Sequence, residues 1–94
     1  MIIILTKKEL KIKDGLIINS LVTMLDDYHL ILNGKLIEFD YLIIEDLALV
    51  TDLAKTKILI DDDTVVTNFF GQTSIEHIYV GDIDNALDHL YNGE

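Results

Sequence analysis

The chain contains no cysteine, no proline and no arginine among its 94 residues. Without cysteine there is no disulfide scaffold, thiolate zinc site or cysteine nucleophile. A chain of this size that folds without such staples fits a reducing compartment, so the expected location is cytoplasmic. Without proline, and with only 5 glycines, little interrupts a composition that is 50% hydrophobic. That is enough apolar surface for one core, which disfavours disorder. Without arginine, and with a net charge of −10, direct binding to nucleic acid is disfavoured, because phosphate is neutralised by Lys and Arg. An anionic membrane surface is disfavoured for the same reason.

Long apolar runs are missing too. Met1-Ile-Ile-Ile-Leu5 has no basic region ahead of it and stops at Leu5, unlike a signal peptide. No segment approaches the roughly 18 apolar residues of a membrane span. Beyond Lys57 basic residues cease, although 8 carboxylates follow: Asp61, Asp62, Asp63, Glu76, Asp82, Asp84, Asp88 and Glu94. Lys7, Lys8, Lys11 and Lys13 crowd the opposite end against a single acid, Glu9. A division of charge like this steers partners of opposite sign. The options it leaves are a basic protein surface, a divalent cation, or no specific partner, with charge serving solubility alone.

The length suits one domain, residues 1–94. Ile2–Leu5 is a β-branched run and reads as a buried strand. Residues 7–13 read as a loop or an edge strand. Between Leu16 and Leu25 the apolar positions fall on one helical face, with Asp14 as N-cap, which predicts a helix over about 15–27. Residues 28–32 and 35–39 flank Asn33-Gly34, the pair that a type I′ hairpin favours. Tyr41–Ile44 reads as a strand, 46–56 as a short helix capped by Asp46, and 57–60 as a strand. Residues 64–70 are β-rich and 71–74 form a turn. His77–Val80 is the last strand, and Asp82 caps a final helix to about Tyr91, ended by Asn92-Gly93. The expected fold is α/β (or α+β): a small mixed sheet of about five strands with three helices, in the order βαββαβββα. A sheet with helices on both faces is slightly favoured over a two-layer sandwich.

Tyr41-Leu-Ile-Ile-Glu-Asp46 and Val80-Gly-Asp-Ile-Asp-Asn-Ala-Leu-Asp88 resemble the middle and the closing parts of a response-regulator receiver domain. The resemblance spans less than half of the chain. It implies a phospho-acceptor near Glu45 or Asp46. Thr6, Lys7 and Lys8 stand where that family has its acidic pair, and the metal-binding companions are missing, so no phosphorelay activity is assigned.

Asp61-Asp62-Asp63 is the densest acidic cluster. If strand ends converge, Glu45, Asp46, Asp61 and Asp63 make a candidate site for Mg²⁺ or Ca²⁺. The spacing matches no defined calcium loop, and a solvated turn is favoured about four to one. Asp82 and Asp84 suit a helix N-terminus. Asp84 and Asp88, four apart, repel mildly and invite a basic partner. His29, His77 and His89 lack zinc spacing, and His89 reads as a surface neighbour of Asp88. Most of the aromatics read as core, but Phe69-Phe70 in a strand would send one ring outward as a partner anchor. Ser20 and Ser74 lack a nucleophile elbow, and the isolated glycines form no phosphate loop.

The composition thus points away from catalysis and implies no cofactor. The favoured expectation is a protein-binding module that docks Asp61, Asp62, Asp63, Phe70, Asp82, Asp84, Asp88 and Tyr91 on a basic protein surface. One form is an inhibitor that competes with nucleic acid for a basic groove, as phage anti-defence and toxin-immunity proteins can. The alternatives are a divalent-metal enzyme or signalling domain on the carboxylate cluster, and a structural subunit with 2–5 or 64–70 as an exposed edge. The oligomeric state is left open.

Overall fold

The computed structural model describes residues 1–92. Gly93 and Glu94, part of the expected helix stop and the last acid of the run, lie outside the described residues. The described residues form a mixed α+β domain with several sheets and one α-helix, not the expected five strands and three helices.

The first sheet is wholly parallel, in the order β10(Ile78–Val80), β6(Tyr41–Ile44), β1(Ile2–Leu5), β2(Gly15–Ile18). β1 is therefore central, bonded to β2 on one side and β6 on the other. This overturns the idea that residues 2–5 form an exposed edge. The second sheet has the order β5(Lys35–Glu38), β4(His29–Leu32), β3(Val22–Met24), β7(Val50–Thr51). Among the described residues β8(Ile60–Asp61) and β9(Thr64–Val65) pair only with each other.

Side chains of a strand alternate between faces, and β1 uses both. Ile3 and Leu5 join Leu42, Ile44 and Ile78 against Val22, Met24 and Leu30 of the second sheet. Ile2 and Ile4 join Ile43 and Tyr79 on the other face, beneath Ile83 and Ala86 of α1(Ile83–Asn92). The layers are thus helix, parallel sheet, mixed sheet. A sheet covers the face where a second helix layer was expected. Each fully buried Ile or Leu here contributes about 1.5–3 kcal/mol.

The expected helix over 15–27 is two strands, β2 and β3. Its apolar spacing also fits short strands, and pairing of Ile17 and Ile18 with β1 decides between them. Asp14, the expected N-cap, has φ 58°. Gly15 is required by close approach: a Cβ there would lie 1.9 Å from Ile12 Cδ1 and 2.9 Å from the Ile2 carbonyl oxygen. Leu10 and Ile12 of the β1–β2 connection fold onto the α1 side of the sheet.

The expected helix over 46–56 is also broken. Asp46 does cap its start, accepting the Ala48 N–H at 3.0 Å. The turn over Leu47–Leu49 is 3₁₀ and gives way to β7, which pairs parallel with β3. Asp52 then takes a left-handed φ of 58° before a second 3₁₀ turn, Leu53–Lys55. Of the strand expected over 57–60 only Ile60 enters a ladder, and of 64–70 only Thr64 and Val65.

The hairpin at Asn33-Gly34 forms as read, with φ 51° and 79°. Asp62 and Asp63 repeat that geometry between β8 and β9, with φ 53° and 63°. The non-glycine residues with positive φ among the described residues are Asp14, Asn33, Asp52, Asp62 and Asp63. Asp and Asn tolerate this region because their short side chains bond locally. Part of the acidity is therefore turn chemistry in a chain poor in glycine.

No described helix is long and apolar enough to cross a membrane.

Candidate functional site

The carboxyl end of the parallel sheet, where ligands of open α/β sheets usually bind, is closed by pairing. Thr6 Oγ1 donates to Glu45 Oε1 at 2.8 Å, and the Lys8 N–H donates to Thr6 Oγ1 at 3.1 Å. Lys8 Nζ lies 3.6 Å from Glu45 and Lys7 Nζ 3.9 Å from Asp46. Asp61 lies in β8, and Asp62 and Asp63 form the tip of its hairpin. The structure does not gather Glu45, Asp46, Asp61 and Asp63, and among the described residues no three His, Asp or Glu side chains could hold a metal ion together. The N-terminal lysines therefore partly neutralise the acids that the sequence marked for metal.

The opposite, amino end of the sheet opens into a groove of about 920 Å³. Residues at or just before the start of all four parallel strands line it: Asp14 before β2, Ile2 of β1, Asp40 and Tyr41 at β6, and His77 before β10. The end of α1 adds His89, Leu90 and Tyr91, and Met1, Tyr28, Gln72, Glu76 and Tyr79 complete the walls. The imidazoles are held internally. His77 Nε2 donates to the Asp27 carbonyl at 2.6 Å while its ring stacks on Tyr28, centroids 4.3 Å apart. His89 Nδ1 is 2.7 Å from the Tyr79 hydroxyl. His89 is half-buried rather than a plain surface neighbour of Asp88.

Beside the groove lies a tight loop, 68–72. The Asn68 carboxamide oxygen accepts the N–H groups of Phe70 and Gln72 at 2.9 and 3.0 Å. The Gly71 N–H donates to the Asn68 carbonyl at 3.1 Å. Gly71 has φ 81°, and a Cβ there would sit 3.1 Å from the Val80 carbonyl oxygen. Asn85 of α1 donates to the Phe69 carbonyl at 3.3 Å. The loop is thus fixed to itself and to the helix. Phe69 projects from it with 93% of its surface exposed, and Phe70, 41% exposed, lies on His89. The expected division, one ring inward and one outward, fails because these residues are in a turn and not a strand.

α1 carries the remaining candidates. Asp82 is its N-cap, accepting the Asn85 N–H at 2.8 Å. Asp84 and Asp88 are exposed, and Asp88 accepts from Asn92 Nδ2 at 3.0 Å. Tyr91 is 59% exposed. Phe70, Asp82, Asp84, Asp88 and Tyr91 therefore share the helix and the loop fixed to it, while Asp61–Asp63 belong to a separate hairpin.

Sequence reasoning missed Asp14, Tyr28, Tyr41, Glu76 and His77. Their common signal was a position at or near the start of a strand; for Asp14, Tyr41, Glu76 and His77 it becomes meaningful only once β2, β6 and β10 are known to run parallel, while Tyr28 precedes β4 of the second sheet. Tyr28 and Tyr41 are also exposed, where core positions were expected.

Another ionic cluster stands apart. His29 Nδ1 is 2.8 Å from Asp26 Oδ1, and Nε2 is 3.6 Å from Glu38 Oε2. The Tyr28 N–H, first, and the His29 side chain, second, hold the Asp26 carboxyl below its ordinary value.

Compared with known proteins, the chain matches no family model, and no curated protein or solved structure matches it significantly.

Proposed function

We propose that the protein is a small acidic binding module, an inhibitor or regulator that docks α1 and the 68–72 loop on a basic protein surface such as that of a nucleic-acid enzyme. The observation that carries this reading is Phe69: a large apolar ring, 93% exposed, on a loop already ordered by Asn68 and Asn85. An exposed phenyl ring on a mobile tip would lose much of its binding free energy to ordering; a pre-ordered one does not. Burying it in a partner pocket contributes about 1.5–3 kcal/mol. Asp84 and Asp88 on the adjoining helix supply long-range attraction and suppress acidic partners.

The reading is tested by parallel capture with wild type, Phe69→Ala, and Asp84→Asn/Asp88→Asn. A partner that binds wild type at low salt, is released as salt rises, and is lost with Phe69→Ala supports it. Capture that is indifferent to both variants and to salt overturns it.

A further inference from the structure

The groove at the amino end of the parallel sheet has a chemistry distinct from the Phe69 loop. Its rim presents the rings of Tyr28, Tyr41 and Tyr91, exposed by 52%, 40% and 59%. Asp14 and Glu76 line it too, and among the described residues neither carries an ion pair. Asp40 is already engaged by the Met1 amine. Among the described residues no lysine side chain contributes to the lining, and Met1, which does line it, carries the amine paired with Asp40. Aromatic faces attract cations through the ring quadrupole, and unpaired carboxylates add charge attraction and hydrogen-bond acceptors. Neutral apolar ligands fit this rim poorly, and anions are repelled by it.

From this complementarity we infer that the groove is an arginine-binding site, receiving a guanidinium group from a basic segment of a protein partner. A guanidinium is planar and weakly hydrated, so it stacks on tyrosine while its N–H fork reaches a carboxylate. A lysine ammonium is a compact, strongly hydrated point charge and can use the carboxylates but not the stacking geometry. The inference deepens the binding-module reading and rests on it for the basic character of the partner. Tyr91 joins the two surfaces, lining the groove while belonging to α1. His89 does the same, with Phe70 on its ring and its own surface in the groove.

The test is an NMR titration of the full chain with a six-residue arginine-glycine peptide and with its lysine-glycine counterpart, at low salt. Expected are saturable shifts of the Tyr28, Tyr41 and Tyr91 ring protons, with the arginine peptide bound at least fivefold more tightly. Asp14→Asn/Glu76→Gln should weaken it about tenfold. Both side chains are exposed, and Asn retains the left-handed backbone that position 14 needs. The ring shifts in wild type are a readout independent of that variant. Equal affinity for both peptides, or an unweakened double variant, overturns the arginine assignment. Shifts confined to Asp61–Asp63 or to Asp84 and Asp88 overturn the groove while leaving the acidic face intact. No shift anywhere overturns the groove assignment and leaves the Phe69 docking surface to the capture experiment.

Discussion

The Phe70 ring lies on the His89 imidazole, with centroids 4.2 Å apart and planes 19° from parallel. This contact joins the 68–72 loop to α1, and through His89 Nδ1 it reaches the Tyr79 hydroxyl on the parallel sheet. The two adjacent phenylalanines therefore differ in role. Phe70→Ala should remove a contact that holds the loop against the helix, whereas Phe69→Ala should remove an edge contact within the loop, on the Phe70 ring with centroids 6.0 Å apart.

That difference is measurable. Phe69→Ala should leave urea stability within about 0.5 kcal/mol of wild type, as expected for an exposed substitution. Phe70→Ala should cost about 0.5–1.5 kcal/mol, the range of an aromatic pair. Equal losses in the two variants would show that the loop is not fixed through Phe70.

Gly15→Ala should destabilise the chain by about 1–3 kcal/mol, the usual cost of overpacking. The new methyl meets both Ile12 and the Ile2 carbonyl oxygen, and the latter belongs to the central strand and cannot move freely. A helix over 15–27 would make the opposite prediction, because Ala is a better helix former than Gly. Thermal or urea denaturation decides by the sign alone.

These cases show what the sequence could and could not disclose. Asn33-Gly34 was legible because the turn demands positive φ from two consecutive residues, a local requirement. The final helix was legible through Asp82 and the stripe Ile83, Ala86, Leu87, Leu90, again local signals. Residues 15–27 were not, because Leu16 to Leu25 satisfies helical and strand periods alike and only pairing with Ile2–Leu5 decides. Of the candidate site, the exposed acids of α1 were readable, but the projecting ring is Phe69 and not the Phe70 marked as the anchor, because 68–72 is a turn whose geometry the strand alternation does not describe. The groove was not readable, since Asp14, Tyr41 and His77 come from separate parts of the chain and meet only through parallel order.

The Asp62-Asp63 turn separates structural acidity from functional acidity. Asp62→Asn/Asp63→Gly substitutes the pair already used at Asn33-Gly34 and should stabilise the chain by about 0.5–1 kcal/mol, by relieving left-handed strain. Urea denaturation checks the sign. A loss of stability would mean that these carboxylates have a favourable role beyond the turn.

Acid stability should carry the mark of Asp26. Its carboxyl is held below the ordinary aspartate value by the Tyr28 N–H and by His29. A lowered folded value means that the unfolded chain binds the proton more readily, so the stabilisation is present above an unfolded value of about 3.9 and is lost as pH falls through the folded value. Asp26→Asn should therefore be less stable than wild type at pH 6, and the gap should close toward pH 3. Urea midpoints of both proteins at the two pH values test this, and a gap that widens in acid would contradict it.

Asp82 has two roles that can be separated. It caps α1 through the Asn85 N–H, and it adds charge to the proposed docking face. Asp82→Asn keeps a capping oxygen and removes the charge, whereas Asp82→Ala removes both. If the cap is its structural role, Asp82→Ala should cost about 1 kcal/mol and Asp82→Asn much less. Because α1 carries Asn85, which bonds the Phe69 carbonyl, and His89, which supports Phe70, fraying of its first turn should also loosen the loop. Asp82→Ala should then speed amide exchange at Phe70 and Gln72, while Asp82→Asn leaves it unchanged. Partner capture at low salt should weaken in both variants, and more in Asp82→Ala, which loses the cap as well as the charge.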